Sequence, residues 1–117
     1  GTVIWIINIA EEYATTRYRE LLDVPQEQME ISRKKNQFDD AHLTRVNPRH
    51  PGIAARLRIP GLSDIEGDAD GCVSIIIDGI HRCEAARRRA IPFHVRLLYD
   101  EDSRESVLYS NPPTLLP

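Results

Sequence analysis

Lysine is almost missing from this chain of 117 residues: Lys34 and Lys35 stand against thirteen arginines. Arginine's rigid fork suits bidentate contact with phosphate and carboxylate, but compositional bias produces the same ratio, so only the positions of the arginines can assign them a role. Cysteine is equally scarce. Cys72 and Cys83 are too few for a disulfide framework and lack the paired spacing of a structural zinc site. Cys72, His81 and Cys83 could gather around a metal only with a fourth ligand that the spacing does not supply, so no metal site is expected. No apolar run approaches the roughly 18 residues that a bilayer span requires, which excludes a spanning helix. A basic segment followed by an apolar one is also lacking at the start, where Gly1-Thr2 stands without a methionine. The chain therefore reads as a mature piece or an excised domain, with the cytoplasm as its expected compartment. An excess of one charge is lacking as well. Fifteen basic and eighteen acidic residues give a net charge of −3, which argues against coating nucleic acid through bulk charge.

What is present suits a soluble globular domain, with 41% hydrophobic and 28% charged residues. The length fits a single domain over residues 1–117, with 111–117 (NPPTLLP) an irregular tail. Val3–Ile9 is a short β-branched run and reads as a buried strand. Glu11–Asp23 has helical character, with acidic residues at its start and Pro25 beyond its end. Met29–Gln37 alternates weakly, as an exposed strand does. Asp39–Val46 suggests a short turn of helix before the breakers at Asn47-Pro48 and His50-Pro51-Gly52. Ile53–Ile59 alternates apolar residues with Arg56 and Arg58, the pattern of a half-buried strand. Residues 61–71, rich in glycine and acid, lack the order of a calcium loop and read as a solvated hairpin turn. Cys72–Ile77 is a β-branched strand, His81–Ala90 a helix with a Glu84–Arg88 pair at i, i+4, and Phe93–Leu98 a further strand. This order of strands and helices implies a small mixed α/β or α+β domain.

The chemistry concentrates in Ser74–Leu98. A strand ends at Asp78, turns at Gly79-Ile80 and opens into a helix whose first turn holds His81 and Arg82. Such a turn builds an anion site, because unpaired N–H groups and the positive end of the helix dipole point outward and glycine lets the backbone approach closely. Arg82 can add a forked contact to phosphate, and His81 a donor or a proton relay. Asp78 has two readings at this stage: a cap of the helix, or a functional carboxylate that holds His81, binds a metal with a nucleotide, or accepts a substrate proton. Neither a Walker A nor a G-x-G-x-x-G pattern occurs.

The stretch SIIIDGIHRCEAARRRAIPFHVRLL resembles the signature of the ParB/sulfiredoxin-like superfamily: an apolar strand, Asp-Gly-x-His-Arg, an alanine-rich helix and a Pro-led strand. The resemblance implies a compact α/β fold with a short mixed sheet, in which Gly79, Ile80, His81 and Arg82 hold the phosphates of ATP or ADP, or of CTP. Asp78 and His81 become candidate catalytic residues, Mg²⁺ a companion of the nucleotide, and a small hydroxyl-bearing compound a possible acceptor. The departures matter. Sulfiredoxins carry their reactive cysteine where Ile80 stands, and Cys83 falls inside the helix, which argues against sulfinic acid reduction. Partition proteins carry a second arginine where His81 stands and need downstream domains that do not fit after Leu98. Free serine kinases of the superfamily differ from Asp78–Arg82 at one position, but their early catalytic glutamate has no matching motif here. Glu11, Glu12 and Asp39 are the candidates for it. The expected function is thus a nucleotide-binding domain, as a phosphotransferase or nucleotide hydrolase, or alternatively a non-catalytic regulatory or partition-type module.

Of the other basic residues, Arg82 and Arg89 are seven apart and share a helix face, while Arg87 and Arg88 turn away. The latter read as a solvated face more simply than as a DNA-binding stripe, since aromatics to stack on bases are absent nearby. Arg45, Arg49 and His50 precede the Ile53 strand in what reads as a plain turn, or as a substrate-facing loop. His42 and His94 read as packing or surface histidines.

Overall fold

The structure is a computed structural model that describes residues 2–17, 20–58 and 73–111. Its central element is β3 (Gly52–Leu57), which lies between β4 (Val73–Asp78), antiparallel to it, and β5 (His94–Leu97), parallel to it. Beyond β5, the two-residue β2 (Leu22–Asp23) pairs antiparallel through Leu22 with Val95 and Asp23 with His94. The order is β2-β5-β3-β4, a mixed four-stranded sheet. A separate antiparallel ribbon joins β1 (Thr2–Trp5) to β6 (Val107–Asn111). The described residues form five helices: α1 (Ile7–Arg17), α2 (Gln26–Lys35), α3 (Asp40–Leu43), α4 (Ile80–Arg88) and α5 (Asp100–Glu105). The protein is a small mixed α+β domain.

Helices cover both faces of this sheet. On one, Met29 of α2 and Cys83 and Ala86 of α4 pack with Ala54, Phe93 and Val95. On the other, Ala10 and Ala14 of α1 pack with Ile53 and Leu98. β3 is therefore buried on both faces, with Ala54 at 3% and Ala55 at 0% exposure. The expectation of a half-buried strand is corrected here: small alanines at successive positions let helices close on both sides, which alternation with arginine does not reveal.

The N-terminal elements also differ from expectation. The strand stops at Trp5, where the register with β6 shifts, and the chain turns so that the Ala10 N–H donates to the Ile6 carbonyl. Ile7–Ile9 belong to α1, which is described through Arg17 and does not run to Asp23, since Leu22–Asp23 is β2. Toward Arg17, Thr15 and Thr16 turn their hydroxyls back onto the carbonyls of Glu11 and Glu12, a competition that weakens helices. Leu22 and Asp23 gain ladder bonds from β5. Met29–Gln37 is no strand, since α2 spans most of it. Pro25 stands at the N-cap in an extended conformation, and Glu27 in the first turn and Arg33, Lys34 and Lys35 in the last are matched to the helix dipole. The apparent alternation of Met29 and Ile31 is incidental to a run of strong helix formers.

The short helix expected within 39–46 is α3, and Asp39 caps it by accepting from the Ala41 N–H. The strand expected at 72–77 is β4 at 73–78, the helix expected at 81–90 is α4, and the strand expected at 93–98 is β5. Asn111 ends β6 instead of opening an irregular tail. Residues 112–117 and the hairpin turn expected at 61–71 lie outside the described residues. α5 and β6 had no counterpart in the sequence reading. Among the described residues no helix is long and apolar enough to cross a membrane.

Candidate nucleotide-binding turn

β4 delivers Asp78 to the start of α4, and Gly79 between them adopts φ +97°, ψ 24°. That left-handed geometry is costly for a residue with a Cβ. Crowding adds a second requirement. A Cβ at Gly79 would stand 2.9 Å from Arg82 Nη2 and 3.1 Å from Gly52 Cα, and one at Gly52 would stand 2.8 Å from the Asp78 carbonyl oxygen and 2.9 Å from Phe93. The two glycines let β3, β4 and the helix start meet closely.

Asp78 does not cap the helix. Gly79 is the N-cap, with no side-chain capping bond, and the first helical bond runs from the Cys83 N–H to the Gly79 carbonyl. The Asp78 carboxylate instead accepts from Arg82 Nη2 at 3.1 Å, while Arg82 Nη1 donates to the Pro51 carbonyl at 3.1 Å. Arg82 therefore folds back across the helix start, mostly buried at 15% side-chain exposure. Two of its five N–H groups are committed to these partners, and the fork is oriented before any ligand arrives. The His50-Pro51-Gly52 turn thus meets the site through its backbone.

His81 points toward α3. Its ring stacks on His42, with centroids 4.3 Å apart and planes 9° from parallel, and meets Phe38 edge-on at 5.5 Å. The Asp39 N–H approaches His81 Nε2 at 3.4 Å, so the ring accepts there. Next to this stack, Asp39, His42, Arg45 and Val46 line a pocket of about 270 Å³. Ile80 is half-buried at the first helical position.

Of the upstream carboxylate candidates, only Asp39 lies beside the turn. Glu11 and Glu12 are exposed on α1, which packs on the opposite face of the sheet from α4. The sequence reading missed His42, Phe38 and the Pro51 carbonyl as neighbours of the turn. Only the Asn47–Gly52 breakers signalled that this chain segment folds back.

The arginine cluster resolves into ion pairs. Arg87 Nε and Nη2 both donate to Glu84, at 2.7 and 2.9 Å, and Arg88 Nε donates to the same carboxylate at 2.9 Å. Arg87 also reaches Glu30 of α2, and Arg88 reaches Asp40 of α3, each at 3.4 Å. Arg88 and Arg89 are exposed, as a solvated face implies, and the ion pairs of Arg87 and Arg88 also tie α4 to its neighbours. Arg89 sits at the C-cap, two turns from Arg82, or about 10 Å, too far to share the N-terminal site. His94 pairs with Asp23 at 2.7 Å across the β2–β5 ladder. Cys83 is buried in α4, and burial pushes its thiol up to about 11. Cys72 lies outside the described residues, and among those described no group of three His, Cys, Asp or Glu side chains gathers as metal ligands.

No protein-family model, no curated protein and no solved structure matches the chain.

Proposed function

We propose that the protein is a ParB/sulfiredoxin-like domain that binds a nucleotide, ATP or ADP in the first instance and CTP in the second, with its phosphates at Asp78-Gly79-Ile80-His81-Arg82. The observation that carries this reading is the Arg82 guanidinium laid across an α4 N-terminus that no side chain caps. Helix dipole and backbone N–H groups then act on the same small volume as the Arg82 fork, which keeps N–H groups beyond the two given to Asp78 and Pro51 and must exchange part of its pairing with Asp78 for the anion. Gly79, with its left-handed backbone and no Cβ, lets the Arg82 fork lie close against the helix start. The Asp-Gly-x-His-Arg signature supports the same assignment. Mg²⁺ would arrive with the nucleotide, which supplies most of the oxygens such an ion needs. The cytoplasm is the compartment consistent with nucleotide use.

As an enzyme, the domain would transfer a phosphoryl group to water or to a small hydroxyl-bearing acceptor, with Asp78 and His81 of the turn as the candidate catalytic groups. One observation favours the second reading, a nucleotide-gated regulatory module without turnover: Asp78, the other candidate base, is already engaged by Arg82. A partition-type role on DNA draws less support, because Arg87 and Arg88 are paired with carboxylates.

Thermal shift with ATP, ADP, CTP and GTP, with and without Mg²⁺, tests the site. Ligand at a hundredfold excess over Kd is expected to stabilise the protein by about 2.7 kcal/mol. Arg82→Ala is expected to abolish the shift. No shift with any nucleotide, or the same shift in the variant, refutes the assignment. ADP release with and without small hydroxyl compounds then separates enzyme from module.

A further inference from the structure

We propose that the pocket of Asp39, His42, Arg45 and Val46 receives the base of the bound nucleotide, stacked on His42; the proposal rests on the phosphate site above and extends it. Two rings stack outward from the turn, His81 and then His42, with Phe38 edge-on against His81. His81 covers one face of His42, while His42 is otherwise exposed and lines the pocket. A planar base placed there continues the stack by one step, and its phosphates extend back toward Gly79 and Arg82.

Size and polarity fit a ring. The pocket, at about 270 Å³, falls just below the range of roughly 300–1,000 Å³ for sites that enclose whole ligands, so it suits the base and leaves the phosphates at the turn. Stacking on a π-face requires no particular base, which lets one pocket serve adenine or cytosine. Polar groups for the base edge are at hand. One Asp39 oxygen caps α3 through the Ala41 N–H, and the other can accept from an exocyclic amine. Arg45 offers donors or a second stacking plane. The capping bond holds Asp39 in place, and its backbone N–H approaches His81 at 3.4 Å, so Asp39 lies between the turn and the pocket.

Titration calorimetry with ATP and with inorganic tripolyphosphate separates the two ends. His42→Ala is expected to weaken ATP on the order of tenfold and to leave tripolyphosphate unchanged, whereas Arg82→Ala weakens both. His42→Trp restores ATP affinity, and its added fluorescence, measured against the Trp5 background of the parent protein, is quenched by ATP and not by tripolyphosphate. If His42→Ala binds ATP as the parent does, or loses both ligands equally while keeping its parental melting temperature, base stacking on His42 is wrong and the phosphate site stands. If the parent binds tripolyphosphate as tightly as ATP, the pocket contributes nothing and the proposal falls. If the parent binds neither, the phosphate site itself is refuted and the proposal falls with it.

Discussion

Arg82 shows why the near absence of lysine has a structural meaning. Its planar fork reaches a carboxylate at Asp78 and a carbonyl at Pro51 simultaneously, two acceptors in different elements that a single ammonium would serve with less geometric control. Arg87 repeats this use between Glu84 and Glu30, while Arg17 and Arg56 pair with Asp102 and Asp100. Among the described residues, Arg17, Arg33, Arg56, Arg82, Arg87 and Arg88 hold carboxylates within the fold. Cys83 illustrates the opposite case, a reactive group silenced by its position one residue later. It is 1% exposed, and burial is the main cause of its raised thiol value of about 11. A thiol reacts as thiolate, so Cys83 is expected to resist iodoacetamide at pH 8 in the native protein and to react rapidly in denaturant. Mass spectrometry of the Cys83 peptide reads this directly, and fast native labelling would show that α4 opens.

Among the elements, α4 carries both the candidate site at its start and a strained residue at its end. After the C-cap Arg89, Ala90 adopts φ 54°, its N–H donates to Arg87 and the Ile91 N–H donates to the Ala86 carbonyl. This is a Schellman closure with alanine where glycine is usual. Ile91 packs on the core cluster that contains Ala86, and that contact holds the strained turn in place. Ala90→Gly relieves the left-handed penalty and is expected to stabilise the protein by about 0.5–1 kcal/mol, the relief exceeding the added chain entropy. Urea denaturation checks it; a loss of stability would mean that the Ala90 methyl packs better than its backbone costs. The elements differ in how legible they were in the sequence. β4, α4 and β5 followed from β-branched runs and alanine-rich spacing, because local preference and tertiary role agree there. In α2 and at the α1–β2 boundary they conflict: Met29 and Ile31 mimic alternation, and Leu22–Asp23 is extended only because β5 offers it a partner.

At the scale of the molecule, Glu84 is the charge on which α2, α3 and α4 converge. Its carboxylate side chain is 2% exposed, grips Arg87 and Arg88, and through them reaches Glu30 and Asp40. The Arg87 hydrogen bonds hold its carboxyl below the ordinary value of 4.5 against the opposing effect of burial. A carboxyl lowered in the folded state contributes stability that is present above about pH 4.5 and is lost as pH falls through the lowered folded value. Glu84→Gln is expected to cost about 1–3 kcal/mol at pH 7, since charged donors lose their partner. Its stability should also fall less steeply than the parent's on acidification below pH 4.5. Denaturant titrations at pH 7 and pH 4 measure both effects, and an unchanged acid slope would remove Glu84 from this role.

The strand-turn-helix around Asp78–Arg82 is legible in the residues alone, because a β-branched run, a glycine and an alanine-rich helix specify that geometry within the one stretch Val73–Arg88. The order of strands and helices also indicated the mixed α+β class. Only the tertiary structure decided what faces the turn. That Arg82 reaches the Pro51 carbonyl, that His42 stacks on His81 across 39 residues of chain, and that Glu11 and Glu12 stand on the far face of the sheet all depend on how β3 sits between β4 and β5. Such contacts join segments distant in sequence, and no local preference encodes them; packing on both faces of one central strand does.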